Sequence, residues 1–159
     1  MRRGGEAMSV YRRLEELGLV LPVPLAPGGN YVPAKRAGDM LYLAGQGAAR
    51  AEGGWHTGKV GRDVSIEEAR AHARIVALQV LSTVQHAVGD LDVVEVVKVF
   101  GMVNAVPEFT EHPFVINGFS DLLIEVMGED GRHARSAIGM GSLPNGMTVE
   151  IETILRIKG

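Results

Sequence analysis

The sequence predicts an α+β fold in which two helices cover one face of a mixed β-sheet. After a leading segment, the predicted elements follow the order ββαβαββ, in which strands and helices only partly alternate. The chain has 159 residues, of which 46% are hydrophobic, and this size suits one folded domain. We therefore divide the chain into an N-terminal extension over residues 1–29 and a domain over residues 30–159.

The N-terminal extension predicts a short helix followed by a proline-rich connector. Apolar residues recur at helical spacing from Ser9 to Leu17, and Gly18 ends the helix. From Leu21 to Gly29, the segment that we call the connector, the chain contains three prolines. Each of them disfavours a helical conformation at the residue before it. We expect the connector to run extended over the surface.

Two strands and a loop follow the connector. Asn30 to Arg36 and Met40 to Ala44 are predicted as strands, joined by a hairpin turn at Ala37-Gly38-Asp39. Gly45 to Gly61 is rich in glycine and polar residues, which predicts a loop, and it carries Trp55, the only tryptophan of the chain.

Two helices are marked by their ends. Ser65 and Glu68 have the spacing of a capping box, in which each side chain accepts a hydrogen bond from the other residue's backbone N–H. The helix that they open is predicted to run to Val88, and Gly89 ends it. A second amphipathic segment, from about Thr110 to Met127, predicts the other helix.

Three further strands are predicted at Val93–Val103, Ala134–Met140 and Thr148–Ile157. The first of them is apolar on both faces. Strict alternation places Val94, Val96, Phe100 and Met102 on one side and Val93, Val97, Val99 and Val103 on the other. Because helices on one side leave the other apolar face uncovered, we expect a second copy of the chain to pack on it.

Composition excludes several classes of protein. The absence of cysteine rules out disulfide scaffolds, thiolate nucleophiles and cysteine-bound metals. The net charge of −3, with scattered basic residues, disfavours a dedicated nucleic-acid surface. No segment approaches the roughly 20 consecutive apolar residues of a membrane span, and no apolar segment follows the basic N-terminus as in a secretory signal. We expect a cytoplasmic protein with no membrane association.

The histidines and glycines form no known cofactor motif. The five histidines lack metal-ligand spacing, and neither a nucleotide-binding glycine loop nor a nucleophile-elbow motif is present in the sequence. We therefore expect neither a metal nor a cofactor. His72 and His86 fall on the polar side of the first long helix and are predicted to be solvated.

Arg135, Glu150 and Glu152 are charged residues that fall within predicted strands. Charges in strands usually mark the solvated face of a sheet. If a second copy covers that face, the same charges lie at a subunit boundary, where an arginine can bind a carboxylate and a glutamate can hold a water molecule. The residues by themselves leave both interpretations open.

The chain resembles the YjgF/RidA family, whose members are also known as L-PSP endoribonucleases, from about Tyr31 to Ile157. The resemblance rests on motifs that follow the family's order: Tyr31, Leu43-Ala44-Gly45-Gln46, Gly58-Lys59-Val60, Asn117, Ala134-Arg135-Ser136, Leu143-Pro144 and Val149-Glu150-Ile151-Glu152. It implies a chorismate-mutase-like fold, a homotrimer and ligand clefts at the three subunit boundaries.

The resemblance also implies residue roles. In the active deaminases of the family, the residue matching Arg135 holds the substrate carboxylate and the one matching Glu150 orients the attacking water. Further residues are implied at the cleft: Tyr31, Ala44, Gly45, Asn117 and Ala137. The implied reaction is the hydrolysis of an enamine or imine, such as 2-aminoacrylate, to a keto acid and ammonia. We expect Arg135 and Glu150 to lie in one pocket. Either a bulge near Gly139–Gly141 or the subunit boundary must bring them together. We expect Glu152 to form a structural pairing instead.

This chain departs from the family's deaminases at several positions. Ala44 stands where they often carry a serine, and Ala137 stands where they often carry a cysteine. The loop from Gln46 to Val60 is longer than usual, and the extension has no counterpart in the shorter members. These departures place the chain in an outlying subgroup.

Three functions are compatible with the sequence. The first is a hydrolytic deaminase of small carboxylated enamines and imines, the second is a trimer that binds a keto acid without turnover, and the third is an endoribonuclease. Retention of both Arg135 and Glu150 favours the enzyme, because a binding protein needs the arginine but has no particular use for the glutamate. RNA cleavage lacks support, because the sequence shows neither a histidine pair nor a stripe of basic residues interspersed with aromatic ones.

Overall fold

The computed structural model describes residues 8–159, so the first seven residues of the predicted extension lie outside the described residues. Within this range the chain forms three α-helices and a five-stranded sheet. The helices are α1 (Val10–Glu16), α2 (Ile66–Val88) and α3 (His112–Met127). The strands are β1 (Ala34–Ala37), β2 (Met40–Gly47), β3 (Val94–Asn104), β4 (Ala134–Met140) and β5 (Val149–Ile157).

The strands form one sheet in the order β1-β2-β5-β3-β4. β3 and β4 pair in parallel, and the other three pairs are antiparallel. The parallel pair arises because α3 connects these two strands as a crossover, which a tight turn cannot do. The predicted mixed sheet and α+β class are therefore confirmed.

α2 and α3 pack side by side on one face of the sheet, as predicted. The largest fully buried side chains of the resulting core include Leu81, Phe119, Leu122, Ile151 and Leu155. α2 begins at the predicted capping box, in which the Ser65 hydroxyl accepts the Glu68 N–H (3.1 Å) and the Glu68 carboxylate accepts the Ser65 N–H (2.8 Å). Within residues 8–159, no helix is long and apolar enough to cross a membrane.

Two predicted strand boundaries are wrong. β1 begins at Ala34 rather than at Asn30, because the Tyr31 N–H donates to the Gly29 carbonyl (3.0 Å) and turns the chain there. β2 runs beyond its predicted end, to Gly47, because a bulge lets it continue beside β5. The loop predicted from Gly45 therefore begins after Gly47.

The alternation predicted for β3 is also wrong, because its register against β5 shifts between Val96 and Lys98. One extra residue, Val97, sits in this bulge, so the residues after it change sides. Val96 and Val99 therefore both face the helices, and Val99 is fully buried (0% exposed).

The sheet face away from the helices, which we call the open face, carries apolar side chains beside charged ones such as Lys98, Glu152 and Arg156. Its apolar side chains include Tyr42, Val97, Phe100, Ile138 and Ile154. Three of them are substantially exposed: Val97 by 37%, Ile138 by 40% and Tyr42 by 45%. Contiguous exposed apolar surface of this kind is typical of an interaction site.

α1 and the connector lie against the rest of the chain. Val10 and Leu14 of α1 are buried in the common core. The Ser9 hydroxyl and the Val10 N–H each donate to the Asp92 carboxylate at 2.7 Å, which fixes the start of α1. The N-terminal part of the chain is thus joined to the core by both apolar and polar contacts.

Candidate active site

A bulge in β2 shapes the candidate site. The register of β2 against β5 shifts between Leu43 and Gln46, so one extra residue is accommodated at Ala44-Gly45. A Cβ atom on Gly45 would lie only 3.1 Å from Cδ of Glu150. Glycine at this position therefore lets the Glu150 carboxylate lie directly against the backbone of the bulge.

α2 holds the bulged strand in place from the core side. The Gln79 amide donates to the Gly47 carbonyl (2.7 Å), and its oxygen accepts the Ala49 N–H (2.9 Å). The Gln46 amide donates to the Thr83 hydroxyl (2.9 Å). These buried hydrogen bonds tie the end of β2, and with it the bulge, to a rigid helix.

A pocket of about 520 Å³ lies between the bulge, β5 and the connector. Four of the residues predicted for the site line it together: Tyr31, Ala44, Gly45 and Glu150. Glu152 lines it as well. None of the described residues around this pocket is Lys, Arg or His, so within one chain it holds two carboxylates and no cation.

Glu150 is half-buried and has no hydrogen-bond or ion-pair partner among residues 8–159. Burial raises the pKa of Glu150, and the neighbouring Glu152 carboxylate raises it further. Because a higher pKa makes a carboxylate a stronger base, Glu150 is suited to accept a proton. Within residues 8–159, Glu152 makes no ion pair, so one chain does not supply the expected structural pairing.

Arg135 lies on the other side of the sheet from this pocket. In the register of β3, Val99 pairs with Arg135 and Met102 pairs with Glu150. Val99 faces the helices and Met102 faces away from them, so the two charged residues lie on opposite faces. β4 pairs with β3 without a register shift as far as Met140, so no bulge there reorients Arg135. One chain alone does not bring Arg135 and Glu150 into one pocket, which leaves the subunit boundary as the predicted route.

α3 holds the Arg135 guanidinium. Its Nη1 donates to Oδ1 of Asn117 (2.8 Å) and to Oγ of Ser120 (3.1 Å). Burial lowers the pKa of Arg135 and the nearby Asp121 opposes this, but an arginine stays charged in proteins. Nε and Nη2 have no acceptor among the described residues and can still receive a carboxylate. Ala137 lies two residues along β4, on the same face as Arg135.

Two residues of this arginine site are absent from the sequence-based prediction: Ser120 and His133. Nδ1 of His133 carries a hydrogen, because it lies 2.7 Å from the Gly131 carbonyl, which can only accept. In the neutral ring, Nε2 is then an acceptor and takes the hydrogen of the Ser120 hydroxyl, 2.8 Å away, while the Ser120 oxygen accepts from Arg135. Burial, and then the charge of Arg135, lower the pKa of His133 and favour this neutral form. The available signal was the three-residue spacing of Asn117 and Ser120, which places both on one helix face.

His72 is not solvated as predicted. Its Nδ1 lies 2.9 Å from the Thr148 hydroxyl oxygen, and its ring stacks on His56 with the centroids 4.2 Å apart. Burial, with a smaller contribution from His56, lowers the pKa of His72 to about 4. His86 is exposed, as predicted. Among the residues that the structure describes, no three His, Asp or Glu side chains are grouped as metal ligands would be.

Known proteins match most of the chain. The sequence model of the family described as "YjgF/chorismate mutase-like, putative endoribonuclease" matches residues 11–149. Protein TCP17 of Trypanosoma cruzi is 44% identical over 150 residues, which cover 93% of this chain and 94% of that protein.

Two solved structures resemble the chain to different degrees. The protein Atu1372 of Agrobacterium tumefaciens, of unknown function, is 44% identical with a TM-score of 0.86, and the alignment covers 94% of each chain. RidA from the Antarctic bacterium Psychrobacter sp. PAMC 21119 is 26% identical with a TM-score of 0.60, over 85% of this chain and 94% of that one. The predicted start of the resemblance, Tyr31, is too late, because the family match begins at Tyr11 and includes most of α1 and the connector.

Proposed function

The chain belongs to the YjgF/chorismate mutase-like family, in a subgroup set apart from RidA, and on this premise we propose that it is a hydrolytic deaminase. Its substrates are small carboxylated enamines and imines, such as 2-aminoacrylate, which it converts to a keto acid and ammonia. The observation that carries the proposal is Glu150, an unpartnered carboxylate of raised pKa that lines a pocket beside a strand bulge. Such a group can position a water molecule and accept its proton.

We infer that the working unit is a homotrimer in which the pocket of one copy meets Arg135 of the next. The pocket holds Glu150 and Glu152 without a cation, so it repels a carboxylate substrate unless a cation comes from another copy. Arg135 keeps two free donors for such a substrate. The exposed apolar side chains of the open face support an assembly that covers it.

In the proposed reaction, the Arg135 fork binds the substrate carboxylate and so places the imine carbon beside the water held by Glu150. An enamine substrate first takes a proton from solvent on its terminal carbon and becomes the protonated imine, C=NH2⁺. The water oxygen then bonds to the imine carbon, the C=N electron pair moves to nitrogen, and Glu150 takes a proton from the water. When Glu150 returns this proton to the nitrogen, the C–N bond breaks, the hydroxyl loses its proton to solvent as the carbonyl forms, and a keto acid and ammonia leave.

This reaction requires few residues because an imine is already electrophilic. Holding the carboxylate at two points and the water at a third supplies proximity and orientation, which can account for several orders of magnitude in rate. The raised pKa of Glu150 makes its carboxylate a stronger base. Its half-burial limits the access of bulk water to that carboxylate.

A binding trimer without turnover is the second candidate. Ala44 and Ala137 replace polar residues that the family's deaminases often carry, and this leaves the site with fewer groups that can handle protons. RNA cleavage is less well supported, because two carboxylates at the pocket repel a phosphate backbone and none of its described lining residues is basic.

The test is the rate of ammonia release from 2-aminoacrylate generated in situ from serine by a dehydratase. Since 2-aminoacrylate also hydrolyses spontaneously, the measured quantity is the acceleration over a reaction without the protein. We expect acceleration by the wild-type chain and none by Arg135→Ala. If the wild type accelerates nothing but binds pyruvate in calorimetry, the binding trimer replaces the deaminase. Cleavage of a short RNA with no ammonia release would overturn both.

A further inference from the structure

The connector forms one wall of the pocket and is anchored to the core near its start. Near its start, the Ser82 hydroxyl donates to the Pro22 carbonyl, and Leu21 packs against the core. Near its end, the Gly28 N–H donates to the Tyr31 hydroxyl (3.0 Å). The three prolines of the connector restrict its backbone further. The wall is therefore preformed rather than assembled around a ligand.

The side chains along this wall are apolar. Leu25, Ala26 and Pro27 of the connector line the pocket. Trp55, from the loop after β2, and Met147, just before β5, line the same pocket and pack in one apolar cluster. The apolar walls are thus continuous with the part of the pocket that holds the carboxylates.

The pocket is larger than the simplest substrate needs. 2-Aminoacrylate has six heavy atoms, which fill on the order of 200 Å³ if each takes the roughly 30 Å³ of a water molecule. The pocket of one chain holds about 520 Å³. It therefore exceeds this substrate by more than half of its volume, part of which Arg135 of the neighbouring copy takes, and apolar side chains border the rest.

We propose that the connector and Trp55 form a subsite for the substrate side chain, so that the preferred substrates are α-imino acids with a branched aliphatic side chain. The inference rests on the proposed function, in which Arg135 of a neighbouring copy binds the substrate carboxylate and Glu150 holds the water beside the imine carbon. Burying a side chain of leucine's size against apolar walls favours binding by about tenfold to a hundredfold. The connector thereby becomes the segment that determines specificity.

The experiment compares two keto acids, pyruvate and 4-methyl-2-oxopentanoate, which differ only in side-chain size. Binding is followed by calorimetry and by the fluorescence of Trp55, which as the only tryptophan reports directly on the pocket. The test variant is Leu25→Ala. Its matched control is Val23→Ala, in the same connector but 84% exposed and away from the pocket.

We expect the wild type to bind the larger keto acid at least about tenfold more tightly than pyruvate. Leu25→Ala should reduce this ratio several-fold, whereas Val23→Ala should keep it. Equal affinities of the wild type for the two keto acids, or the same ratio in Leu25→Ala as in Val23→Ala, would overturn the subsite while the carboxylate site stands. If neither keto acid binds, the subsite and the proposed function both fall. A size preference without ammonia release keeps the subsite and rejects the deaminase.

Discussion

The pocket around Glu150 and the arginine site on β4 differ in how their charges are satisfied. Arg135 donates to Asn117 and Ser120, and Ser120 is itself bonded to a neutral His133. Glu150 has no hydrogen-bond or ion-pair partner among residues 8–159, and its pKa is raised. The protein thus orients its cation with several hydrogen bonds and leaves its base free.

This difference indicates what each region contributes to a site. A bound carboxylate needs a cation with a fixed direction, which the α3 contacts provide for Arg135. A general base needs an unoccupied oxygen and a raised pKa, which Glu150 has. Because the two regions lie on opposite faces of one sheet, we propose that they complete each other between copies.

Replacing the free base should have the largest effect. Glu150→Gln keeps the size of the side chain but cannot accept a proton, so we expect turnover to fall about 10²–10⁴-fold. Keto-acid affinity should change far less, because the arginine contact is separate. Steady-state rates and calorimetry on Glu150→Gln and Glu152→Gln check this. Turnover by Glu150→Gln at the wild-type rate would mean that Glu150 is structural.

Combining two inactive variants tests whether the regions work between copies. When Arg135→Ala and Glu150→Gln chains are co-expressed in equal amounts, a cyclic trimer joins an intact arginine to an intact glutamate at about a quarter of its boundaries. We therefore expect about a quarter of the wild-type activity, although each parent is inactive. The control is the double variant co-expressed with either parent, which completes no site. Activity that stays at the parents' level would reject a site shared between copies.

Changing the shape of the cation should have a smaller effect on binding. Arg135→Lys keeps the charge but loses the planar pair of donors, so we expect keto-acid affinity to fall by at least about tenfold. Calorimetry with pyruvate measures it, with Arg12→Lys, at an exposed arginine on α1, as the matched control. Equal affinity in wild type and Arg135→Lys would reject Arg135 as the anchor.

Loosening the support of the arginine should weaken binding only a few-fold. Ser120→Ala removes one acceptor of Arg135 and the partner of His133, and one such hydrogen bond is worth about 0.5–1.5 kcal/mol. A positioning role requires that the effect depend on the arginine. In the Arg135→Lys background, Ser120→Ala should therefore add little further loss, which a double-mutant cycle measures. Equal losses in both backgrounds would make Ser120 merely structural.

Much of the fold is predictable because its signals are local. The capping box at Ser65 and Glu68 and the glycine at Gly89 need only neighbouring residues, and α2 has the predicted ends. The two bulges do not follow from local sequence. The extra residue at Val97 depends on how β3 pairs with β5, and so strict alternation assigned Val96 and Val99 to different faces.

The site divides in the same way. Residues on the pocket wall, such as Tyr31 and Glu150, are identifiable from motifs, because those motifs are continuous in sequence. The support of Arg135 by Ser120 and His133 joins α3 to the start of β4, and only the folded chain brings these elements together. The burial of His72 likewise depends on a loop that folds back onto α2.

The smallest expected effect is a shift in the pH dependence of the rate. It separates the two causes that raise the pKa of Glu150, which are burial and the neighbouring Glu152 carboxylate. The base works only when ionised, so activity falls as the pH drops through its pKa. Within one chain, burial and Glu152 both raise the pKa of Glu150 and so shift the acid limb of kcat/KM to higher pH. Glu152→Gln removes the second cause and keeps the burial, so the limb should move to lower pH.

The neighbouring copy's Arg135 favours the ionised carboxylate in both proteins and so does not alter the direction of this shift. Rates from pH 4 to 9, a range of about five units around the reference pKa values of Glu and His, locate the limb. Glu15→Gln, an exposed position on α1, is the matched control and should leave it in place. A limb that moves to higher pH in Glu152→Gln, or equally in Glu15→Gln, would show that the limb does not report Glu150. The free base would then have to be sought outside the pocket.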